Sequence, residues 1–511
     1  MPRALRHRWK NYRKVDTMKK IQSIIIVLIV AALMLTSLAA CSDKQNGGDD
    51  TTAAGTSTDT AAVVEETTQL LSIPDDINLG GETMGVLYWS DVENPEFFAE
   101  EGTESTDKTL DAIKRRNASL EDRMQVKRDF IPQAGNFTNL KSFVSYIDSS
   151  YKAGDHSFDI IAGYSQSVAN AAFNNYCYDL AKTEYLDFDK PWWPSRLTKE
   201  ATVNNRLYFV SGDISTNLLY SMYTVFFNKD LMATHPDLKS PYDLVNSNEW
   251  TVDTMLTMCQ GFYRDLDADG KKSNGDQFGL ILPRLGLDTF FYGSGLRTTD
   301  KNADGTLIVS DTYFSEKAQN LLEKLEKVCY DDDDGYWKGK PDVFVAGNAA
   351  FYCDRAVRAM WNLGDVDFQY GVVPAPKWDS TQEDYYTCVG NAFTLYAIMG
   401  NSDRPDLASA VLECWAYEAY EITTPVVFEI TMKIRFAKDS ETAKLYDMIR
   451  DGVTFDLGRI YGATMNKLTQ SIYRDAMENR SAWTKLKVAY SSQMENYLKD
   501  INASYTKENG C

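Results

Sequence analysis

Hydrophobic positions recur along this chain in two alternating rhythms. From Gly81 to Trp89, GETMGVLYW reads as a short strand that ends at Trp89-Ser90-Asp91. From Asp107 onward, Leu110, Ile113, Leu120 and Met124 fall at intervals near three, four and seven, which predicts a helix. A strand over 126–131, an amphipathic stretch through Phe143, Tyr146 and Ile147, and an apolar strand over 158–163 follow. Strands and helices alternating at this spacing predict a parallel α/β sheet with right-handed crossovers. Ligands of such sheets collect beyond the carboxyl ends of the strands, where Trp89 with Asp91, and Tyr164 with Gln166, stand.

The first residues follow a different pattern. Met18-Lys19-Lys20 precede twelve continuous apolar residues, Ile24 to Leu35, too few for a membrane span of roughly 20. Leu38-Ala39-Ala40-Cys41 then resembles a bacterial lipobox, which implies cleavage before Cys41 and its diacylation. Residues 1–41 are thus expected to be a lipoprotein signal ending at the lipidated cysteine. Residues 1–17 exceed what its basic region needs, which points to Met18 as the start of translation. Residues 42–78 are expected to form a flexible tether: the Thr-rich stretch from Ser42 to Gln69 has no aromatic residue with which to build a core.

Composition narrows the function classes. The 511 residues, 44% hydrophobic and 12% aromatic, are enough for two or three packed domains. With 53 Lys+Arg against 73 Asp+Glu the formal charge is −20, which argues against nucleic acid and favours a neutral ligand over a polyanion. Cleavage before Cys41 removes eight of the basic residues and one acid, leaving −27. Three histidines are few for catalysis or metal binding. Besides Cys41, seven cysteines remain without a CxxC pair, and free buried thiols are expected.

Further along, the segments Lys190-Pro-Trp-Trp193, Phe226-Phe-Asn-Lys-Asp-Leu231, Leu244 to Trp250-Thr251, Gly347 to Tyr352, Gly371-Val-Val-Pro-Ala-Pro-Lys377 and Asp456-Leu-Gly-Arg-Ile-Tyr461 occur in order. This succession resembles the extracellular solute-binding lipoproteins of ABC importers, of the sugar-binding, family 1-like type. The resemblance implies an α/β, two-lobed periplasmic-binding-protein-like (type II) fold with a hinge between lobes. Lobe one is expected at 79–220 plus 345–390, lobe two at 221–344, and 391–511 as helical segments shared between them. It also implies a non-enzymatic, monomeric protein on the outer face of the cell membrane. Such a protein captures a sugar or oligosaccharide and delivers it to the permease transmembrane subunits. Two alternatives stand beside it: a secreted glycoside hydrolase-like enzyme, and a surface sensory or adhesion module.

Aromatic richness suits a sugar site, because flat rings stack on sugar C–H faces while carboxylates and amides take the hydroxyls. The expected ligand-binding residues are Trp89, Tyr164 and Trp361 for stacking, with Asp91, Gln166, Asp213, Arg355 and Asn391 as polar partners. Trp250, Trp415 and Trp483 read as core, and Trp192 and Trp193 as either core or turn. No catalytic motif is present, although a glycosidase needs only two carboxylates. The loop Asp265 to Asp276 fits a calcium loop, with Asp265, Asp267 and Asp269 at positions 1, 3 and 5, Gly270 at 6, Lys271 at 7 and Asp276 at 12. Asp304-Gly305 reads as a hairpin turn into the strand Thr306–Val309.

Overall fold

A computed structural model describes residues 71–74, 77–98 and 107–506. The signal, Cys41, most of the tether and Cys511 lie outside the described residues. The main strands in chain order are β1 (Thr83–Trp89), β2 (Lys127–Gln133), β3 (Ile160–Tyr164), β4 (Tyr223–Asn228), β5 (Phe278–Leu282), β6 (Gly335–Trp337), β7 (Ala349–Arg355), β8 (Tyr370–Val373) and β9 (Thr394–Ile398). They form two separate sheets, of order β9-β3-β1-β2 and β8-β4-β7-β5-β6.

In the first sheet β1 pairs parallel with both β2 and β3, and β9 closes the edge antiparallel to β3. β1 is central and buried on both faces from its second residue on, so it reads as a continuous apolar run rather than an alternation. β2 is the edge, and there Pro132 is tolerated because no further strand needs its missing N–H. Helices Lys108–Met124 and Leu140–Ala153 provide the crossovers. Asp107 caps the former by accepting from Thr109 N–H, and the latter buries Phe143 and Ile147 while Tyr146 faces outward. Gly85 lets β1 pass close to the segment before β3: a Cβ there would lie 2.0 Å from the Ser157 carbonyl oxygen.

The second sheet corrects one expected boundary. Residues 345–390 do not return to lobe one: β7 pairs antiparallel with β4 and parallel with β5, and β8 pairs antiparallel with β4. The chain rejoins the first sheet only at β9. The runs AAFYC and YGVV are apolar enough to be buried in either sheet, so their pattern does not say which.

Two crossing segments lie side by side between the sheets. Gly390 N–H donates to the Ser221 carbonyl at 2.7 Å, and Met222 bridges Val389 antiparallel. A third joins them, as Thr387–Cys388 pairs parallel with Val453–Thr454. Beyond β9, helix Pro405–Glu418 packs on helix Lys108–Met124, helix Ser440–Asp451 on β8, and helix Leu468–Asn479 on helix Glu316–Glu326. The C-terminal elements therefore touch both sheets' helical layers.

The core contains Trp250, Trp415 and Trp483, all essentially inaccessible. Trp192 and Trp193 join them, and both indole N–H groups donate to the buried carboxylate of Glu413, at 3.1 and 2.7 Å. The six cysteines among the described residues are all buried, and Cys259, Cys329, Cys353, Cys388 and Cys414 are free thiols. Thr299–Lys301 and Leu307–Val309 form the expected hairpin around Asp304-Gly305. Among the described residues, no helix is long and apolar enough to cross a membrane.

Candidate ligand-binding cleft

A cavity of about 540 Å³ lies between the two sheets, bordered by the crossing segment at Gly390-Asn391-Ala392. One side comes from the carboxyl ends of β1 and β3. The strand order places β2 and β3 on opposite flanks of β1, and such a reversal leaves a crevice beyond the strand ends. Trp89 and Tyr164 thereby bring their rings to 5.6 Å between centroids, tilted by 54°. The Trp89 indole N–H is anchored on Thr394 Oγ1 at 2.9 Å, which fixes the ring plane. From the second sheet, Tyr223 at the start of β4 and Arg355 at the end of β7 complete the wall. Burial raises the phenol pKa of Tyr164 and Tyr223, so both stay neutral hydroxyls.

Five of the eight expected ligand residues line this cavity: Trp89, Asp91, Tyr164, Arg355 and Asn391. Asn391 borders the cavity, and its Oδ1 is buried without a hydrogen-bond partner among the described protein groups. Asp91 is committed differently. Its Oδ1 accepts from Gly135 and Asn136 N–H and its Oδ2 from Asn139, so it shapes the loop that presents Asn136, Phe137 and Thr138 to the cavity. Arg355 donates to Glu93 at 2.6 Å.

The other three expected residues lie elsewhere. Gln166 is fully buried behind the wall, donating to the Arg459 carbonyl at 3.1 Å. Asp213 is buried against Arg450 at 3.1 Å, and its pKa is pushed up to about 6 by burial, which the arginine only partly offsets. Trp361 is 40% exposed outside the cavity and donates to Asn94 Oδ1. In each case the strand-end position or residue type was right for a cleft, but the side chain turned toward a protein partner instead.

Sequence reading missed Glu93, Tyr223, Arg459, Lys467 and Arg474, all cavity-lining. Tyr223 and Arg459 stand inside or beside quoted motifs, so those motifs were the available signal. Arg474 is an arginine among Ile472, Tyr473, Ala476 and Met477, a charge in an apolar setting that marks a buried ion pair. Its Nε donates to Asp288 Oδ1 at 3.0 Å, and Arg459 donates to the same carboxylate. The two arginines hold the Asp288 carboxyl below the usual range even though burial alone would raise it.

The cavity's two carboxylates, Asp91 and Glu93, are taken up by three hydrogen bonds and by an arginine respectively. Neither is arranged as the acid of a glycosidase pair. What borders the cavity is aromatic rings, the Asn391 amide and guanidinium donors, which suit binding.

Together, the two sheets, the crossing segments and the cleft between them define a two-lobed periplasmic-binding-protein-like fold of type II. The chain is similar in structure to the galacto-N-biose/lacto-N-biose I-binding protein of an ABC transporter from Bifidobacterium longum, with TM-score 0.54 and 12% identity over 83% of this chain and 98% of that one. It is also similar to the cyclic alpha-maltosyl-1,6-maltose binding protein from Arthrobacter globiformis, with TM-score 0.53 and 14% identity over 83% and 98%. A third is the maltose-binding periplasmic protein of Listeria monocytogenes, with TM-score 0.51 and 12% identity over the same shares. No protein-family model and no curated protein sequence matches the chain.

Proposed function

We propose that this protein is the substrate-binding component of an ABC importer, held at the outer face of the membrane by a diacylated Cys41. In this reading it captures a carbohydrate and passes it intact to the permease. The observation that carries this is the cavity between the sheets, bordered by the rings of Trp89, Tyr164 and Tyr223 and by Asn391, whose Oδ1 has no described protein partner. Rings with a few placed polar groups suit sugars, whose faces are apolar and whose rims are hydroxyls. The names of the structural neighbours, which bind maltose-type and lacto-N-biose sugars, support the same class. Ligand bound between lobes favours the closed form by its differential affinity, and the closed form docks on the permease. The protein itself acts as a monomer and performs no chemistry. Deletion of the chain is expected to abolish uptake of one labelled saccharide class, restored by the wild-type protein but not by a Cys41→Ala variant. Unchanged uptake of every saccharide would overturn the reading.

The loop Asp265–Asp276 is, in the same reading, a weak structural calcium site. Oxygens of Asp265, Asp267 and Asp269 lie within 4.8 Å of one another, and Gly270 N–H donates to Asp265 Oδ2. Asp276 does not join them: its oxygens accept from Leu266 and Ser273 N–H. The expected twelfth ligand therefore stabilises the loop rather than facing the cluster, which keeps affinity low.

A further inference from the structure

The cleft holds more positive charge than a neutral sugar requires. Arg459 and Arg474 are both buried, and they share a single carboxylate, Asp288. With Arg284, Arg355 and Lys467 they make five cations lining a cavity whose lining carries two carboxylates, Asp91 and Glu93. Buried charges are stable only when paired. Arg459 spends Nε on the Val389 carbonyl and Nη1 on Asp288, and Arg474 spends Nε and Nη2 on Asp288. Among the described residues no hydrogen bond engages the remaining Nη2 of Arg459 or Nη1 of Arg474. Lys467 stands at the same cavity with its Nζ 4.6 Å from the centre of the Phe137 ring, and no described carboxylate pairs with it.

Among the described residues, neither lining carboxylate forms an ion pair with Arg459, Arg474 or Lys467. Glu93 is committed to Arg355, and Asp91 to the loop at 135–139. Arg284, the remaining cation, is neutralised by Asp475 and Glu478. In a chain of formal charge −20, five cations lining one cavity run against the overall composition.

We infer that the ligand of this cleft is an acidic saccharide, a sugar or oligosaccharide carrying a carboxylate of the uronic acid kind, with that carboxylate seated against Arg459, Arg474 and Lys467. This rests on the saccharide reading above and replaces its expectation of a neutral solute. A guanidinium fork matches a carboxylate in a plane, and the flanking rings of Trp89 and Tyr164 leave the sugar face a place to stack. One ligand carboxylate engages the guanidinium nitrogens that Asp288 leaves over, and a site shielded from water makes that attraction strong.

Isothermal titration of the full chain tests this with matched pairs. The probes are oligogalacturonates, oligomannuronates and glucuronate-bearing xylo-oligosaccharides, each beside its own carboxyl-reduced, neutral form. At least one acid is expected to bind about tenfold or more tightly than its reduced partner, a difference of about 1.4 kcal/mol. Lys467→Gln, at an exposed position that leaves the core untouched, is expected to narrow that ratio, and Arg474→Gln to narrow it further. Equal binding of acid and reduced forms, or binding of neutral oligosaccharides alone, would overturn the inference while leaving the saccharide reading standing. Absence of binding by any saccharide of either kind would overturn both.

Discussion

Arg355, the last residue of β7 in the second sheet, donates from Nη1 to Glu93 Oε2 at 2.6 Å, and Glu93 belongs to the loop that leaves β1 of the first sheet. The pair therefore spans the two lobes at the rim of the cleft. Gly390 makes room for it, since a Cβ there would meet Arg355 Cδ at 2.7 Å.

A contact between lobes biases the opening equilibrium, so its loss is expected to populate the open form. Glu93→Gln should enlarge the ligand-free radius of gyration in solution scattering and weaken saccharide affinity by about three- to tenfold. Because Glu93 is partly exposed, the melting temperature should change little. An unaltered scattering curve and affinity would show that the pair does not hold the lobes.

Asn391 separates binding from stability. Its buried Oδ1 has no described protein partner, so truncation removes nothing from the fold beyond local packing. Asn391→Ala is expected to lower saccharide affinity about tenfold, as a hydrogen bond to a ligand hydroxyl is lost, with stability changed by less than about 1 kcal/mol. Titration beside a melting curve reads both. Large destabilisation with intact affinity would contradict the assignment.

Asp288 predicts the opposite balance. Asp288→Ala leaves the buried guanidiniums of Arg459 and Arg474 facing each other without compensation, at a cost of about 3–5 kcal/mol. Chemical denaturation should show that loss, and a variant of near wild-type stability would refute the pairing.

Glu413 makes stability depend on pH. Its folded pKa is raised to about 7, chiefly by burial, against an ordinary value of 4.5, although the indoles of Trp193 and Trp192 favour its charged form. The folded state therefore keeps a proton that the unfolded chain has lost. This contribution is fully present below about pH 4.5 and disappears as pH rises to about 7, at up to about 1.4 kcal/mol per pH unit. Melting curves from pH 5 to 8 should fall more steeply for the wild type than for Glu413→Gln; parallel curves would exclude it.

For the loop at 265–276, a chelator is expected to lower the melting temperature and millimolar calcium to restore it, with Asp267→Asn insensitive to both. Close packing already raises the Asp267 pKa: Asp269 N–H opposes this, while burial and the neighbouring carboxylates drive it. Identical curves with and without chelator would remove the ion from the account.

Much of the first lobe was legible in the sequence because its signals are local. The apolar run of β1, the Asp107 cap and the 3.6-residue rhythm from Leu110 to Met124 need no distant partner to be recognised. The strand-end rule then found Trp89 and Tyr164. What could not be read was pairing across the chain. The indoles of Trp192 and Trp193 end on a glutamate in the helix Pro405–Glu418, and Arg474 ends on Asp288. No spacing encodes either pair. The strands β7 and β8 carry burial but not sheet identity in their pattern, so their place in the second sheet is set by pairing with β4 and β5 that no local signal encodes. Gln166 and Trp361 show a further limit: a residue of the right type near a strand end can direct its donor to protein, as Gln166 Nε2 does to the Arg459 carbonyl and Trp361 Nε1 to Asn94, rather than to the cavity.

The central claim is that the cleft binds a saccharide and leaves it unchanged, and the most direct measurement is isothermal titration of the intact protein with an oligosaccharide panel, followed by chromatography of the recovered ligand. The account predicts one saccharide class bound with a dissociation constant of about micromolar or below, recovered without cleavage. Binding confined to peptides or other non-sugars, or release of shortened sugar products, would contradict it.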